Sequence, residues 1–354
     1  MGNQKKQRTQ ILVDATNLGR GGGTVLLKYL LKHLDRESVR VLISEKAASE
    51  FDACPSLHVE SLNPLGSKRQ RLLQEQCRSF QPRTLLCFGN VPPRQRVANA
   101  QVITYFHNAH LLASVDRGTS DSLKDRIRYQ ILRAAIRRRG NQSDYWVFQT
   151  KAICNAAISE HSILPKQTRV IPFYDDKELN AACSRNRQVV KQQAFTYVSN
   201  GRPHKNHSRL IQAWRILAER YDLHPELHLT VEADNRSLLG SIDRATRAGV
   251  RVINHGELGY QKTLDLVAAC KFVVYPSMLE TLGLGMIEGA ALGCDVLASD
   301  FTFVNDVIQA SATFDATNPL AIVNVVRDAM NTKLARSDVR VSNQIQEMVQ
   351  LLCS

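Results

Sequence analysis

The stretch from Phe272 to Asp300, FVVYPSMLETLGLGMIEGAALGCDVLASD, constrains this chain more than any other. Phe272 to Tyr275 is an apolar run with strand character, closed by Pro276. A loop carrying Glu280, Gly283 and Gly285 follows. A helix rich in small residues then starts near Gly285, with Glu288 in its opening turns, and Val296 to Ala298 form the next strand. This order predicts a strand-loop-helix-strand unit of a parallel sheet. Open α/β sheets bind ligands at the carboxyl ends of their strands, which is where this loop and helix N-terminus fall. Two carboxylates eight positions apart therefore flank a glycine-permitted turn and a positive helix end. Acids accept from hydroxyls, while backbone N–H groups and the helix dipole meet anions. The expected ligand is a sugar joined to a phosphate.

The rest of the chain repeats this alternation. Gln10 to Asp14, Val39 to Ser44, Thr84 to Phe88, Val102 to Phe106, Tyr145 to Gln149 and Arg169 to Pro172 read as strands. Gly23 to Leu34, Lys68 to Ser79, Asp121 to Arg139 and Lys151 to Ser159 read as helices between them. Asp175 to Val190 is polar and irregular and reads as a linker. Alternation restarts with strands at Phe195 to Val198, Leu227 to Glu232, Val250 to Asn254, Phe272 to Tyr275 and Asp295 to Ala298. Helices at His207 to Tyr221, Arg236 to Ala248, Gln261 to Cys270 and Gly285 to Leu292 fit between them. Two doubly wound parallel-sheet domains follow, 1–178 and 190–318. Segment 319–354 reads as two helices, one or both of which could return to the first domain.

Composition sets the outer bounds. At 354 residues, 44% apolar and 22% charged, the chain suits two ordinary globular domains. No apolar run approaches the roughly 20 residues of a membrane span, and no secretory or lipidation signal is read at the ends. Eight scattered cysteines form no C-x-x-C pair, and Cys87, Cys270 and Cys294 sit in apolar stretches. Buried reduced thiols in a cytoplasmic protein are expected. The net charge of +13 is the outlier and fits an anionic ligand or an acidic membrane face. Nucleic acid is not the expected partner, since no motif of that class accompanies the charge. Along Asp121 to Arg139, the residues Leu123, Ile127, Ile131, Leu132, Ala135 and Ile136 fall near one helical face, with seven basic residues around the rest. Either the apolar stripe packs on its own domain, or the helix lies on anionic headgroups at the inner face of a membrane. Both can hold if only the basic rim touches lipid.

Other motifs are weighed by context. Asn17-Leu18-Gly19-Arg20-Gly21-Gly22-Gly23-Thr24 follows the first strand and opens a helix, so its glycines allow close backbone approach to a ligand. It is not a dinucleotide fingerprint, since Thr24 stands where the third glycine belongs, and no Gly-Lys-Ser/Thr follows. Gly201-Arg202-Pro203-His204-Lys205 ends the second domain's first strand and brings a guanidinium fork and an ammonium to the ligand edge. His107 sits at a strand's carboxyl end. The pairs His204/His207 and His224/His228 lack a third ligand and read as satisfied loop histidines, so no metal site is expected. No Asp-x-Asp, Gly-x-Ser-x-Gly or His-Glu-x-x-His motif occurs.

Glu280-x7-Glu288, the Gly201-Arg202…Lys205 cluster and the glycine-rich first loop together resemble the retaining GT-B glycosyltransferases with a Glu-x7-Glu motif, glycosyltransferase family 4 of the group 1 type. The resemblance is strong from Phe195 to Asp300 and looser before residue 180. It implies an α/β GT-B fold, with two Rossmann-like domains facing a cleft and the donor held mainly by the second. It further implies that Glu288 accepts from ribose hydroxyls and Glu280 contacts the donor sugar. Arg202 and Lys205 would neutralise the diphosphate, and Gly283, Leu284 and Gly285 would lie at the donor through backbone N–H groups and the helix start. Gly22 and Gly23 would approach donor phosphate or acceptor, and His107 would lie by the sugar. Asn254, His255 and Glu257 fall in the turn that holds the base. The expected reaction moves a hexose from a nucleoside-diphosphate sugar to a glycan or lipid-linked glycan of a cell-surface polysaccharide, O-antigen, capsule or lipopolysaccharide. The leaving phosphate takes the acceptor's proton, so no metal or other cofactor is implied. Two positions depart from the family: Phe173-Tyr174 replaces an Asn-Gly, and Asp295 replaces a proline. A nucleotide-sugar 2-epimerase of the same fold and an inactive nucleotide-sugar-binding scaffold are the alternative functions.

Overall fold

The strand-like runs pair side by side into two parallel sheets, each wrapped by the amphipathic segments that separate them. The computed structural model describes residues 9–19, 21–49, 51, 56–97, 99–116 and 122–354. It divides into two compact units: one holds the chain through Val115, Arg126–Asp175 and Asn343–Ser354, and the other holds Asp116–Asp125 and Asp176–Ser342.

The first unit runs β1 (Ile11–Ala15), α1 (Gly22–Leu31), β2 (Val39–Ser44), α2 (Glu45–Ala48), β3 (Ser56–Val59), α3 (Ser67–Phe80), β4 (Thr84–Cys87), β5 (Gln101–Tyr105), α4 (Leu123–Arg139), β6 (Tyr145–Phe148), α5 (Lys151–His161) and β7 (Thr168–Val170). Its strand order is β3-β2-β1-β4-β5-β6-β7, every pairing parallel. Strand alternation divides the core in two. Ile11, Val13 and Ala15 join α1 through Leu26, Leu27 and Leu30, whereas Leu12, Leu42 and Leu85 face Leu73 of α3.

The second unit runs α6 (Asp176–Arg185), β8 (Gln192–Tyr197), α7 (His207–Tyr221), β9 (Leu227–Leu229), α8 (Arg236–Arg247), β10 (Val252–Asn254), α9 (Tyr260–Ala269), β11 (Cys270–Tyr275), α10 (Leu284–Ala291), β12 (Asp295–Ser299), α11 (Thr302–Val307), β13 (Ile308–Gln309), β14 (Ala312–Phe314), α12 (Pro319–Asn331) and β15 (Asp338–Val339). Its main sheet is ordered β10-β9-β8-β11-β12-β14, again all parallel. The order reverses between β1 and β4 in the first sheet and between β8 and β11 in the second, and ligands collect at such points in open α/β sheets. The last helix, α13 (Ile345–Cys353), packs in the first unit, with Ile345, Met348 and Leu352 in its core.

The expected α/β architecture of two parallel-sheet domains is borne out; three details differ. Asp175 to Val190 is no irregular linker, because α6 occupies most of it and buries Leu179 and Ala182. That helix was illegible because its apolar side is only Leu179, Ala182 and Cys183 among ten residues. The expected stripe on α4 splits: Leu132 and Ile136 are buried, while Leu123, Ile127 and Ile131 are exposed. Asp121, the expected start of that helix, lies outside the described residues, as does Arg20 of the first loop. The strands β3, β13, β14 and β15 and the short helices α2 and α11 escape the pattern, most of them too short to show a period.

Candidate active site

In the second unit the chain leaves β8 at Tyr197 and turns through Gly201 to Lys205, while it leaves β11 at Tyr275 and turns through Glu280 to Gly283. Adjacent parallel strands bring these loops together. Lys205 Nζ lies 2.5 Å from Glu280 Oε1, with the two side chains only 16% and 11% exposed. Tyr275 Oη donates to the same oxygen at 2.8 Å. Tyr197 Oη donates to the Lys205 carbonyl at 3.0 Å, and Met278 N donates to the His204 carbonyl at 2.8 Å. Asn206, in the left-handed region at φ 63°, donates through Nδ2 to Pro276 O and Ala316 O. These bonds stitch the cation loop to the acid loop. Arg202 is exposed and holds no side-chain partner among the described residues.

Electrostatics separate the two acids. Burial alone would raise the Glu280 carboxyl, but the ammonium of Lys205, then His204 and hydrogen bonds from Lys205 and Ser277, hold it below the usual range. Glu280 is therefore a carboxylate at neutral pH. Glu288, only 6% exposed, is pushed up to about 7 by burial, against a hydrogen bond with Tyr260. It sits near half-protonation at neutral pH, and added hydrogen-bond donors would favour its charged form.

The turn before α10 is set by glycine. Gly283 is the helix N-cap at φ 72°, a left-handed conformation that favours glycine, and Leu284 and Gly285 are the first helical residues. A Cβ on Gly285 would sit 3.1 Å from the Tyr275 ring, so the helix start lies directly on that side chain. Its first N–H groups have no partner within the helix and carry the positive end of the dipole.

At the end of β10, Asn254 bonds a neighbouring strand end. Its side-chain amide accepts from Val231 N at 2.8 Å and donates to Val231 O at 3.1 Å. His255 Nε2 pairs with His228 Nδ1 at 2.9 Å, and Glu257 is exposed. The histidines read as loop residues differ: His228 lies in β9, and His207 opens α7 with both ring nitrogens buried and unpaired.

The first unit builds its own rim. A Cβ on Gly23 would come within 2.8 Å of His107 Cε1, and one on Gly89 within 1.8 Å of Asn17 Oδ1. The glycine turn therefore lies against His107, and the loops after β1 and β4 touch. Gly22 has open space where a side chain would go. His107 Nε2 faces the Phe88 carbonyl at 2.8 Å, so that ring nitrogen is assigned the proton; the backbone N–H of His107 donates to Asn90 Oδ1 at 2.6 Å. Burial lowers the imidazole to about 4, so it is neutral at physiological pH. Beneath the rim, Arg69 and Asp14 form a buried ion pair at 2.6 Å, and Arg69 also reaches the carbonyls of Pro64 and Val91. Sequence reading missed Tyr197, Tyr275, Asn206, Asn90 and this pair. Only the strand-end positions of the two tyrosines could have signalled them. Among the described residues no group of three His, Cys, Asp or Glu side chains could hold a metal ion, and all described cysteines are free, with Cys87, Cys270 and Cys294 buried.

Comparisons with known proteins agree with this architecture. Residues 183–348 match the family described as glycosyl transferases group 1. No curated protein matches the chain by sequence. Among solved structures, HepE of Anabaena in complex with UDP-glucose is similar at TM-score 0.67 and 14% identity, covering 98% of this chain and 95% of that one. WaaG, a glycosyltransferase involved in lipopolysaccharide biosynthesis, is similar at TM-score 0.66 and 14% identity, covering 91% and 90%. Sucrose-phosphate synthase from Thermosynechococcus elongatus gives TM-score 0.66 and 15% identity over 98% and 95%. At these identities the likeness speaks for the fold, and the family match speaks for the second half. Residues 183–348 match the glycosyl transferases group 1 family, and the chain has the GT-B fold of the structures it resembles.

Proposed function

We propose that this protein is a retaining, metal-independent hexosyltransferase that uses a nucleoside-diphosphate sugar and serves cell-surface polysaccharide synthesis. The observation that carries the reading is the enclosed Lys205–Glu280 pair beside exposed Arg202, at the point where the second sheet reverses its order. Breakage of the sugar–phosphate bond leaves negative charge on the diphosphate and positive charge on the ring. Arg202, Lys205 and the N–H groups opening α10 meet the first, and preorganised charge of this kind is the largest usual catalytic contribution. The Glu280 carboxylate accepts from a sugar hydroxyl and fixes the ring. Glu288 accepts from the ribose and is driven to its charged form by those hydroxyls. The departing phosphate takes the acceptor's proton on the face it leaves, which gives retention without a separate base. His107, neutral, contributes a hydrogen bond rather than a proton, with Gly22 and Gly23 beside it on the rim we assign to the acceptor side.

HepE, solved with UDP and with UDP-glucose, and WaaG, a glycosyltransferase involved in lipopolysaccharide biosynthesis, support a uridine donor and an envelope glycan as first substrates to test. The exposed Leu123, Ile127 and Ile131, at 72%, 49% and 54%, lie four residues apart beside Lys124, Arg126 and Arg128. That face favours a lipid-linked acceptor met at an anionic membrane surface, on which the protein sits peripherally from the cytoplasmic side. Among the described residues no helix is long and apolar enough to cross a membrane.

The test is transfer from UDP-glucose to envelope glycan acceptors, with EDTA present and the product anomer read by NMR. Retained configuration in EDTA is expected; inversion, or strict need for a divalent ion, overturns the mechanism. Release of free 2-epimerised sugar would instead establish the epimerase, and binding without turnover the scaffold.

A further inference from the structure

Two tyrosines beneath the Lys205–Glu280 pair have no part in the chemistry described so far. Tyr197 ends β8 and Tyr275 ends β11, neighbouring parallel strands that pair through Phe195↔Phe272 and Thr196↔Val273. Both are buried, and their rings meet edge to face with centroids 5.4 Å apart and planes at 81°. Phenylalanine would fill either site equally well; a buried hydroxyl is costly unless it is bonded. Tyr275 donates to the acid of the ion pair, Glu280 Oε1, at 2.8 Å, and Tyr197 donates to the backbone carbonyl of Lys205, the residue that carries its cation, at 3.0 Å. Lys205 Nζ reaches that same Oε1 at 2.5 Å. Two donors converging on one oxygen fix the rotation of the carboxylate. The start of α10 is registered by the same ring, since Cβ atoms on Gly283 and Gly285 would come within 3.5 Å of Tyr275 Oη and 3.1 Å of its Cε2.

We propose that Tyr275 and Tyr197 are positioning residues that lock the Glu280 carboxylate and the Lys205 loop in one geometry across the reversal point of the second sheet. The inference rests on the glycosyl-transfer reading for the reaction it serves, and on the bonds alone for the geometry. Burial first, and the Glu280 charge second, raise the Tyr275 phenol well above its usual value, so it remains a donor throughout neutral pH.

The experiment compares wild type, Tyr275→Phe, Tyr197→Phe and the double variant in three readouts. These are titration of the Glu280 carboxyl by carbon-13 NMR in the free protein, UDP binding by calorimetry, and UDP release from UDP-glucose. Tyr275→Phe is expected to raise the Glu280 midpoint by about one unit and lower kcat about tenfold, the scale of one lost hydrogen bond to a charged group. UDP affinity should hold, since the hydroxyl bonds Glu280 rather than nucleotide, and Tm should fall only by the small amount that one lost hydrogen bond accounts for. Tyr197→Phe should lower kcat less, and the double variant should fall short of the product of the two losses, because both act on one pair. Unchanged Glu280 midpoint and kcat in Tyr275→Phe would overturn the proposal, as would parallel losses of UDP affinity and Tm, which mark a packing role. If wild type neither binds UDP nor releases it from UDP-glucose, the uridine-donor reading fails separately, and the Glu280 titration still decides the positioning role.

Discussion

At Glu280 and Glu288, two carboxylates from one motif are driven in opposite directions by their surroundings. Replacing Glu280 by Gln keeps the shape and removes the charge that Lys205 answers. Transfer should fall at least a hundredfold while UDP still binds, which paired calorimetry and turnover will show. Glu288 makes a claim about pH. Its folded value of about 7 lies above the 4.5 of an ordinary glutamate, so the folded state binds the proton more tightly than the unfolded one. The stability associated with the proton is intact below about pH 4.5 and is lost as pH rises through about 7, amounting to about 3 kcal/mol. Glu288→Gln should therefore gain stability over wild type at pH 8 and not at pH 5, read by denaturant melts. Ribose hydroxyls favour the carboxylate, so nucleotide binding should release a proton near pH 7, seen as buffer-dependent binding enthalpy. Gly283→Ala is a backbone experiment: at φ 72° a Cβ costs about 1–2 kcal/mol and moves the N–H groups of the turn before α10. It should weaken UDP binding as well as lower Tm.

Among the elements, α4 and α6 show how far periodicity reaches. A 3.6-residue period reports which residues share a face and is silent on what covers it. On α4 the apolar positions were legible, but only the structure shows that Leu132 and Ile136 are covered while Leu123, Ile127 and Ile131 are not. Substituting those three by Asp should leave Tm close to wild type and abolish sedimentation with phosphatidylglycerol vesicles. Unchanged sedimentation would dismiss the membrane-facing role. The short α6 was hidden because its packing comes from outside: Asn186 at its end bonds Asp265, and Cys183 bonds the Ala291 carbonyl. Leu179→Ala should cost about 2–4 kcal/mol, the range for a buried leucine.

Across the whole chain, the last helix belongs to the first unit although Asp176–Ser342 of the second precede it. Its core residues Ile345, Met348 and Leu352 are joined by long-range bonds. Gln344 N donates to Pro172 O at 2.8 Å, Asn343 Nδ2 to Tyr29 Oη at 2.8 Å, and Thr84 Oγ1 to Leu352 O at 2.9 Å. Ending the chain at Ser342 should destabilise the first unit by several kcal/mol and leave the second unit's melting transition in place. Calorimetry resolving two transitions, with only one shifted, is the expected record.

The sequence by itself determined the alternation of strand and helix, the division into two parallel sheets, and the acids and cations expected at the ligand edge. Those features are written in spacings of a few residues, where period, glycine and charge act locally. Tertiary structure alone decided that Lys205 meets Glu280 across 75 positions, that two tyrosines hold them from beneath, and that α13 crosses back to the first sheet. Those partners are chosen by strand order and register. No local pattern encodes them, because their free energy comes from groups that are neighbours only after the sheet has formed.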